Sequence, residues 1–582
     1  MPHYSANLAQ PHLPLTMAEK VMMPHYEGEV LQERPKRGLL RRLTLGFLTI
    51  ASLFYGLYIL NDGWHDGWRL PSLVHHQHVS ECTACAQFKP FQQTENTSIG
   101  NLELFKSESY RSETIERFSN IIRIPSVSYD DLGPIGEDKR WEIFQELHEF
   151  IETTFPRVHD ELKQEKINTY GLFYEWKGSN RDLKPILLMA HQDVVPVLPE
   201  TVNLWKYPPF SGHYDGTNVW GRGTFDTKNT LLAIFEAIEA LIESGFHPQR
   251  TILLSFGMDE ECSGYQGAAT LAPHIEKKYG KDGLEFILDE GTTFQKMFGK
   301  EFAVVGTGEK GYMDLHILLE TSGGHSSLPP VHTSVGIMSE LISTIENNQY
   351  EPHLQRNAPF YGMLQCWEKW AEISKPLSRL IKRDNLRRLT KYLSEASRSY
   401  RFQMQTSVAA DIFHGGLKVN ALPENVKAVV NHRIALDMTP DDVKKHAAKL
   451  ARGIAKKYDL NLDAFGIDMH KGKGGRLSLW GERELSAAPE SPLDSSSWAY
   501  LSSMLTNVFG EDIIVTPGMA LGNTDTKYYW DLTRNIYRFA PSRFYDDIGG
   551  GHTVNEHLSV SAHLDAVEFF HELIRGGMPE KR

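Results

Sequence analysis

Five groups of histidine and carboxylate residues stand at the edges of apolar runs. His191-Gln192-Asp193 follows ILLMA at 186–190. Residues two apart on extended chain point the same way, so Asp193 can reach the His191 ring. A carboxylate on the far ring nitrogen fixes the tautomer of a ligating imidazole and raises its basicity. Trp220-Gly-Arg-Gly-Thr-Phe-Asp226-Thr-Lys-Asn229 presents one carboxylate from a glycine-rich turn ahead of a helix. Met258-Asp259-Glu260-Glu261 follows TILLSFG at 251–257, and Leu288-Asp289-Glu290-Gly291 closes another apolar run. Gly549-Gly-Gly-His552-Thr-Val-Asn555-Glu556 lies far downstream. Singly, each is an ordinary loop or solvated face. Together they supply two histidines, three carboxylate ligands and a spare Glu. That is what a two-metal hydrolytic centre needs: N/O ligands, a bridging carboxylate and an open position for water.

The elements around these groups read as α/β. Amphipathic helices are expected at 112–123, 138–154 and 230–243, with buried strands at 186–190, 251–257 and 286–289. Continuous apolar strands alternating with helices imply a largely parallel sheet, with sites at the strand ends. After Gly311 the order becomes strand (313–320), helix (332–346), strands (406–413 and 425–434), helix (439–457) and a last strand (462–467). Two β-α-β units of this order predict an inserted ferredoxin-like α+β lid domain, with 350–402 a helical excursion inside it. The domain reading is a catalytic part at 106–310, a lid at 311–475 and a second catalytic part at 476–582.

Composition narrows the function classes. The 582 residues carry 61 Lys+Arg against 74 Asp+Glu, a formal net charge of −13, which argues against a nucleic-acid partner. Four cysteines rule out a disulfide scaffold. Cys82 and Cys85 read as a small disulfide, and Cys262 and Cys366 as buried thiols. Leu43 to Leu60 is an 18-residue stretch without charge, enough to cross a hydrocarbon core. Arg34, Lys36, Arg37, Arg41 and Arg42 precede it, so the positive-inside bias places residues 1–42 in the cytosol. One N-terminal transmembrane helix at 43–60 and a stalk at 61–105 then lead to a body beyond the membrane. Asn96-Thr-Ser is a glycosylation sequon suited to that side.

HQD, GRGTFDTKN, DEE, LDEG, GGHSS, NALPENV, GNTDTKYY and GGHTVNEH occur in that order from about residue 110 to the end. This series resembles the M20 metallopeptidases, and its HQDVVPV and LDEG variants, with the anchor, are most similar to the fungal vacuolar carboxypeptidase S group. The resemblance implies two zinc ions per subunit, with Asp226 bridging, His191 and Asp289 on one ion, and Glu261 and His552 on the other. Glu290 is a rival to Asp289. It implies Glu260 as the general base, Asp193 as the residue orienting His191, and His325 of the GGHSS motif as an oxyanion stabiliser. Asn420 and Arg433 become the pair for a substrate's free carboxylate, which a planar guanidinium binds bidentately. Asn523 and Thr524 are expected near the same region. It further implies a single-pass type II protein of the vacuole and a homodimer through the lid. N/O ligands by themselves leave zinc, cobalt and manganese open.

Three functions fit: a carboxypeptidase acting on peptides with a free C-terminal carboxylate, an N-acyl amino acid amidohydrolase using the same site, and a non-catalytic membrane-anchored binding protein. A complete ligand set with a spare Glu argues against the third, because a binding protein has no use for the base.

Overall fold

The computed structural model describes residues 85–88, 102–545 and 549–577. The expected anchor at 43–60, most of the stalk, Cys82 and Asn96 lie outside these residues. Among the described residues no helix is long and apolar enough to cross a membrane.

The first part of the chain contributes strands β1 (Lys163–Ile167), β2 (Gly171–Trp176), β3 (Ile186–His191), β4 (Ile252–Gly257), β5 (Phe286–Thr292) and β6 (Lys300–Glu309), with helix α1 (Lys228–Glu243). The middle adds β7 (Gly311–Glu320), α2 (Ser334–Asn347), α3 (Pro359–Trp370), β8 (Ala409–Gly415), β9 (Asn425–Ile434), α4 (Pro440–Lys457), β10 (Asn461–Ala464), β11 (Ile467–His470) and β12 (Arg476–Leu485). The last part returns with α5 (Ser496–Phe509), β13 (Ile514–Ala520), β14 (Ile536–Phe539) and α6 (Val560–Arg575).

The large sheet runs β1-β2-β4-β3-β5-β14-β6-β13. Its centre, β4-β3-β5-β14, is parallel, while β1 and β2 add antiparallel strands at one edge. The fold is thus mixed α/β with a parallel heart. Every residue of β3 and β4 is buried, as apolar strands covered on both faces must be. Because β3, β4 and β5 are parallel neighbours, their C-terminal ends lie side by side. His191, the Glu260–Glu261 turn and Glu290 therefore meet at one edge of the sheet.

The second sheet runs β8-β9-β7-β12-β10-β11 and has its own core. β7 alternates, burying Met313, Leu315, Ile317 and Leu319 against α2 and α4. One covered face and one wetter face is the usual condition of an antiparallel sheet. Helix α4 starts with a capping box in which Thr439 and Asp442 satisfy each other's backbone N–H groups, with Pro440 in the first turn.

Two sequence expectations change here. The sheet continues past residue 475, because β12 pairs along β7 from Tyr312 to Glu320. Its first half alternates Leu477 and Leu479 inward, but Gly481-Glu-Arg-Glu interrupts the period, so it does not read as a strand. The 350–402 excursion leaves Tyr350 in the second sheet's core, but its helices pack elsewhere. Its helix α3 buries Phe360, Leu364 and Trp367 against Phe302 and Val304 of β6 and Ile514 of β13, extending the large sheet's packing at its edge.

Candidate metal centre

His191 ends β3, fully buried. Its Nδ1 lies 2.9 Å from the Asp193 carbonyl and 3.3 Å from Asp193 Oδ1. A carbonyl accepts only, so Nδ1 carries the proton and Nε2 is the ring atom facing the site. That Nε2 is 3.1 Å from Asp226 Oδ1 and 3.5 Å from Glu290 Oε2. On the other side, His552 Nε2 is 3.1 Å from Asp226 Oδ2 and 3.0 Å from Glu261 Oε1. One carboxylate thus presents an oxygen to each of two histidines, each with a glutamate beside it.

Ligand-type atoms of His191, Asp226 and Glu261 all lie within 4.8 Å of one another, and so do those of His191, Glu260 and Glu290. Four carboxylates against two imidazoles leave an excess of negative charge in a buried place, which suits divalent cations. Electrostatics record the crowding. Burial first, then the Asp226 charge, pushes Glu261 up to about 7. Burial, with Asp226 adding and His191 opposing, takes Glu290 to about 8. Burial and then the Glu290 charge raise Glu260 well above the usual carboxylate range. Burial alone would depress His552, but its hydrogen bonds to the Asp226 and Glu261 carboxylates bring it to about 11.

Glu290, not Asp289, enters this cluster. Adjacent strand residues point to opposite faces. With Glu290 on the His191 side, Asp289 is turned into the sheet interior, where it pairs in register with Arg538 of β14. Sequence pattern leaves this one-residue choice open.

The scaffold behind the cluster is specific. The Asp193 carboxylate accepts from Ser128 Oγ at 2.6 Å and from the backbone N–H groups of Glu260 and Glu261 at 3.1 and 3.2 Å. Asp259 turns away and accepts the N–H groups of Gln266 and Gly267, both at 2.8 Å, which closes the turn bearing Glu260 and Glu261. Glu556 Oε1 accepts the N–H groups of Gly223, Phe225 and Asp226 at 3.0, 3.0 and 3.3 Å, while Arg222 pairs with its other oxygen. The loop bearing His552 is thereby clasped to the loop bearing Asp226. A side chain at Gly551 would put its Cβ 3.0 Å from Asp226 Oδ2, so this loop approaches as closely as it does because the residue is glycine. Ser128 has no sequence signal. Glu556 was visible beside His552, but a lone Glu in a loop gives no hint that it binds three amides.

The residues expected to hold a substrate carboxylate do not converge within one chain. Arg433, near the end of β9, donates from its guanidinium to Asn523 Oδ1 at 2.9 Å and stacks 4.6 Å over the Tyr312 ring. Asn523 in turn donates to the Lys310 carbonyl. Asn420 lies beyond the opposite end of β9. At roughly 3.4 Å per residue over the strand, the separation is on the order of 30 Å. His325 is at that same far end, exposed, paired in register with Ala421 and bonded through Nδ1 to Ser327. Among the described contacts none joins His325 or Asn420 to the histidine–carboxylate cluster. Thr524, also expected in that region, is buried and caps the turn that follows it through Thr526 N–H. Cys262, expected as a buried thiol, is half-buried beside this site, and burial pushes it up to about 12.

A parallel-centred α/β sheet with a two-histidine, multi-carboxylate cluster at its strand ends defines a metal-dependent hydrolase. The chain matches the model of peptidase family M20/M25/M40 over residues 187–576, and it belongs to that family. It is 39% identical over 571 residues to carboxypeptidase S of Saccharomyces cerevisiae, covering 94% of this chain and 98% of that one. It is 32% identical to the N-fatty-acyl-amino acid synthase/hydrolase PM20D1 of Xenopus tropicalis, covering 81% of this chain and 86% of that one. Its fold is similar to the M20 family metallo-carboxypeptidase Sso-CP2 of Sulfolobus solfataricus, with a TM-score of 0.56 at 18% identity over 79% of this chain and 98% of that one. The protein is therefore an enzyme, a hydrolase of the M20 metallopeptidase type.

Proposed function

We propose that the protein is a dizinc carboxypeptidase that releases C-terminal amino acids from peptides. The observation that carries this is the Asp226 carboxylate, with one oxygen 3.1 Å from His191 and the other 3.1 Å from His552. His191 and Glu290 would hold one ion and Glu261 and His552 the other, with Asp226 serving both. Zinc in this donor set supplies a Lewis acid for the scissile carbonyl and a water acidified toward neutrality. Glu260 takes the proton of the attacking water and returns it to the leaving amine. Asp193 keeps the His191 tautomer through Nδ1 and sets the backbone of Glu260. Arg433, oriented by Asn523 and Tyr312, receives the terminal carboxylate.

Residues 311–475 act as the lid, extended by β12, between the catalytic parts at 106–310 and 486–582. Its free edge supports a homodimer. Ile412 and Phe413 on the outermost strand β8 are 45% and 43% exposed, and Leu328, Val331, Leu417 and Val419 nearby are almost fully exposed. A second copy docked there brings its His325 and Asn420 to the site that holds Arg433, which removes the 30 Å problem of a single chain. Residues 43–60 anchor the enzyme as a single-pass type II protein in the vacuolar membrane, with Asn96 glycosylated in the lumen.

The deciding experiment combines metal analysis with hydrolysis of N-blocked dipeptides bearing free or amidated C-termini, with and without chelator. Two zinc ions per chain, chelator-sensitive cleavage and rejection of the amides are expected. Cleavage of N-fatty-acyl amino acids in preference to dipeptides would move the assignment to the amidohydrolase reading, which the similarity to PM20D1 supports more weakly than the carboxypeptidase S similarity supports a peptidase.

A further inference from the structure

The stretch 371–402 departs from the acidic balance of the whole chain. It carries nine Lys and Arg against three Asp and Glu, and all nine basic residues are exposed. Two short helices display most of them. In the helix Lys375–Lys382, Leu377 and Ile381 turn into the core that holds Trp367 of α3, and in the helix Leu386–Ala396 so do Leu389 and Leu393. Lys375, Arg379 and Arg383 stand four apart, as do Arg387 and Lys391, so like charges share the outward faces. Spacing of that kind destabilises a helix by repulsion. The ion pairs of these two helices use Lys382 and Lys391. Among the described residues no ion pair uses Lys375, Arg379, Arg383, Arg387 or Arg388. The fold leaves these cations for something outside it.

Helix α3 also receives the chain on its way from the N-terminal region. Lys369 Nζ and Trp370 Nε1, at the end of α3, donate to the Cys85 carbonyl at 3.4 and 3.2 Å. Gln87 then exchanges hydrogen bonds with both backbone groups of Val515, at 3.2 and 3.0 Å. Trp370 keeps 39% of its surface exposed beside this junction. The first basic helix begins five residues further on.

We propose that this basic surface docks the catalytic body on the anionic phospholipid headgroups of the membrane that anchors it. The proposal rests on the reading of residues 43–60 as the anchor and goes beyond it. An anchor only tethers, whereas the patch fixes which side of the body faces the bilayer. Cations near a negatively charged leaflet are drawn to it, and the attraction fades within a Debye length. Arginine suits such a surface because its planar fork takes phosphate bidentately. An exposed indole next to the tether suits the headgroup boundary. A second copy of the chain fits less well, because a two-fold contact would set like charges together.

The test uses the full-length protein in nanodiscs of phosphatidylcholine, with or without about a third phosphatidylserine. Lysines are acetylated with limiting reagent and mapped by mass spectrometry. Lys375 and Lys391 are expected to lose reactivity several-fold in the anionic discs alone, while Lys427 of β9 and Lys471 after β11 do not change. Protection disappears in about 1 M sodium chloride, where the screening length is roughly 3 Å. It also disappears when Arg379→Glu, Arg383→Glu, Arg387→Glu and Arg388→Glu are combined, with peptide hydrolysis unchanged. If that variant does not fold, the salt series on the wild-type protein decides. Equal reactivity in the two discs overturns the proposal. So does equal protection in phosphatidylcholine, which would mean contact between copies, or protection by inorganic phosphate in neutral discs, which would mean a free-anion site. Failure of the anchor reading shows separately, as protein that enters neither disc. Flotation with phosphatidylserine vesicles but not phosphatidylcholine vesicles is then the expected result, and flotation with neither overturns the docking surface.

Discussion

Asp193 Oδ1 accepts the backbone N–H of Glu260 at 3.1 Å, so the residue two places after one cluster histidine fixes the peptide that carries the proposed base. A second oxygen does the same for Glu261 at 3.2 Å. Asp193→Asn keeps the shape but puts an amide where two N–H groups and Ser128 donate. Loss of such support costs about 10–100-fold in metal affinity or activity. Zinc titration and kcat on one dipeptide check this. Unchanged values for both would remove Asp193 from its positioning role.

Glu260→Gln separates base from ligand. Zinc content stays near wild type, while turnover falls by about 10²–10⁴-fold, the usual contribution of a positioned base. A variant with normal activity would mean that another carboxylate takes the proton, and Glu290 would be the first to examine.

The neighbours Asp289 and Glu290 give a sharper comparison. Glu290→Gln lowers the stoichiometry of tightly bound metal, measured by equilibrium dialysis. Asp289→Asn leaves the stoichiometry near two per chain and instead lowers thermal stability, because the buried Asp289 carboxyl lies in the favourable field of Arg538. The reverse pattern would return Asp289 to the ligand set.

The legibility of the site follows from what a motif can encode. His191, Asp226, Glu260, Glu261 and His552 are readable because such runs recur together, most of them at the ends of apolar segments, although each alone is an ordinary loop or solvated face. Asp289 and Glu290 were not separable, since period-2 alternation says that neighbours diverge but not which one faces the site. Asn420 and Arg433 are paired by the family resemblance, with the planar guanidinium of Arg433 suited to a carboxylate. Their separation follows from the strand expected at 425–434, which sets Asn420 before its start and Arg433 near its end. The parallel centre of the large sheet was legible from the apolar runs at 186–190, 251–257 and 286–289. The resting place of the 350–402 helices was not, because an amphipathic face shows that something covers it and not what.

Acidity in the cluster has a direction. Glu261 and Glu290 rise from 4.5 to about 7 and about 8 in the folded protein, chiefly through burial. Between pH 4.5 and 8 the folded state then holds protons that the unfolded chain has released, so metal-free protein loses stability as pH rises through that window. Ligation requires those protons to leave, so zinc affinity climbs over the same range and binding releases protons. Thermal melts of chelated and zinc-loaded protein from pH 5 to 8 should therefore diverge. Parallel curves would contradict the proton bookkeeping.

Dimer exchange of catalytic groups can be measured by mixing. His325→Ala and Glu260→Gln are each expected to be nearly inactive alone. Co-expressed, random pairing makes half the dimers mixed, with one complete site of two, so about a quarter of wild-type activity returns. No recovery, with mixed dimers present by native mass spectrometry, would confine His325 to its own chain.

The grip of Glu556 on the amides of Gly223, Phe225 and Asp226 also sets a time of assembly. Every other member of the cluster has been translated by residue 290, yet the Asp226 loop has neither its clasp nor its second histidine until residues 552–556 follow. A growing chain therefore carries its histidine–carboxylate cluster in pieces until residues 552–556 are made. The enzyme becomes competent at the moment its last tenth arrives.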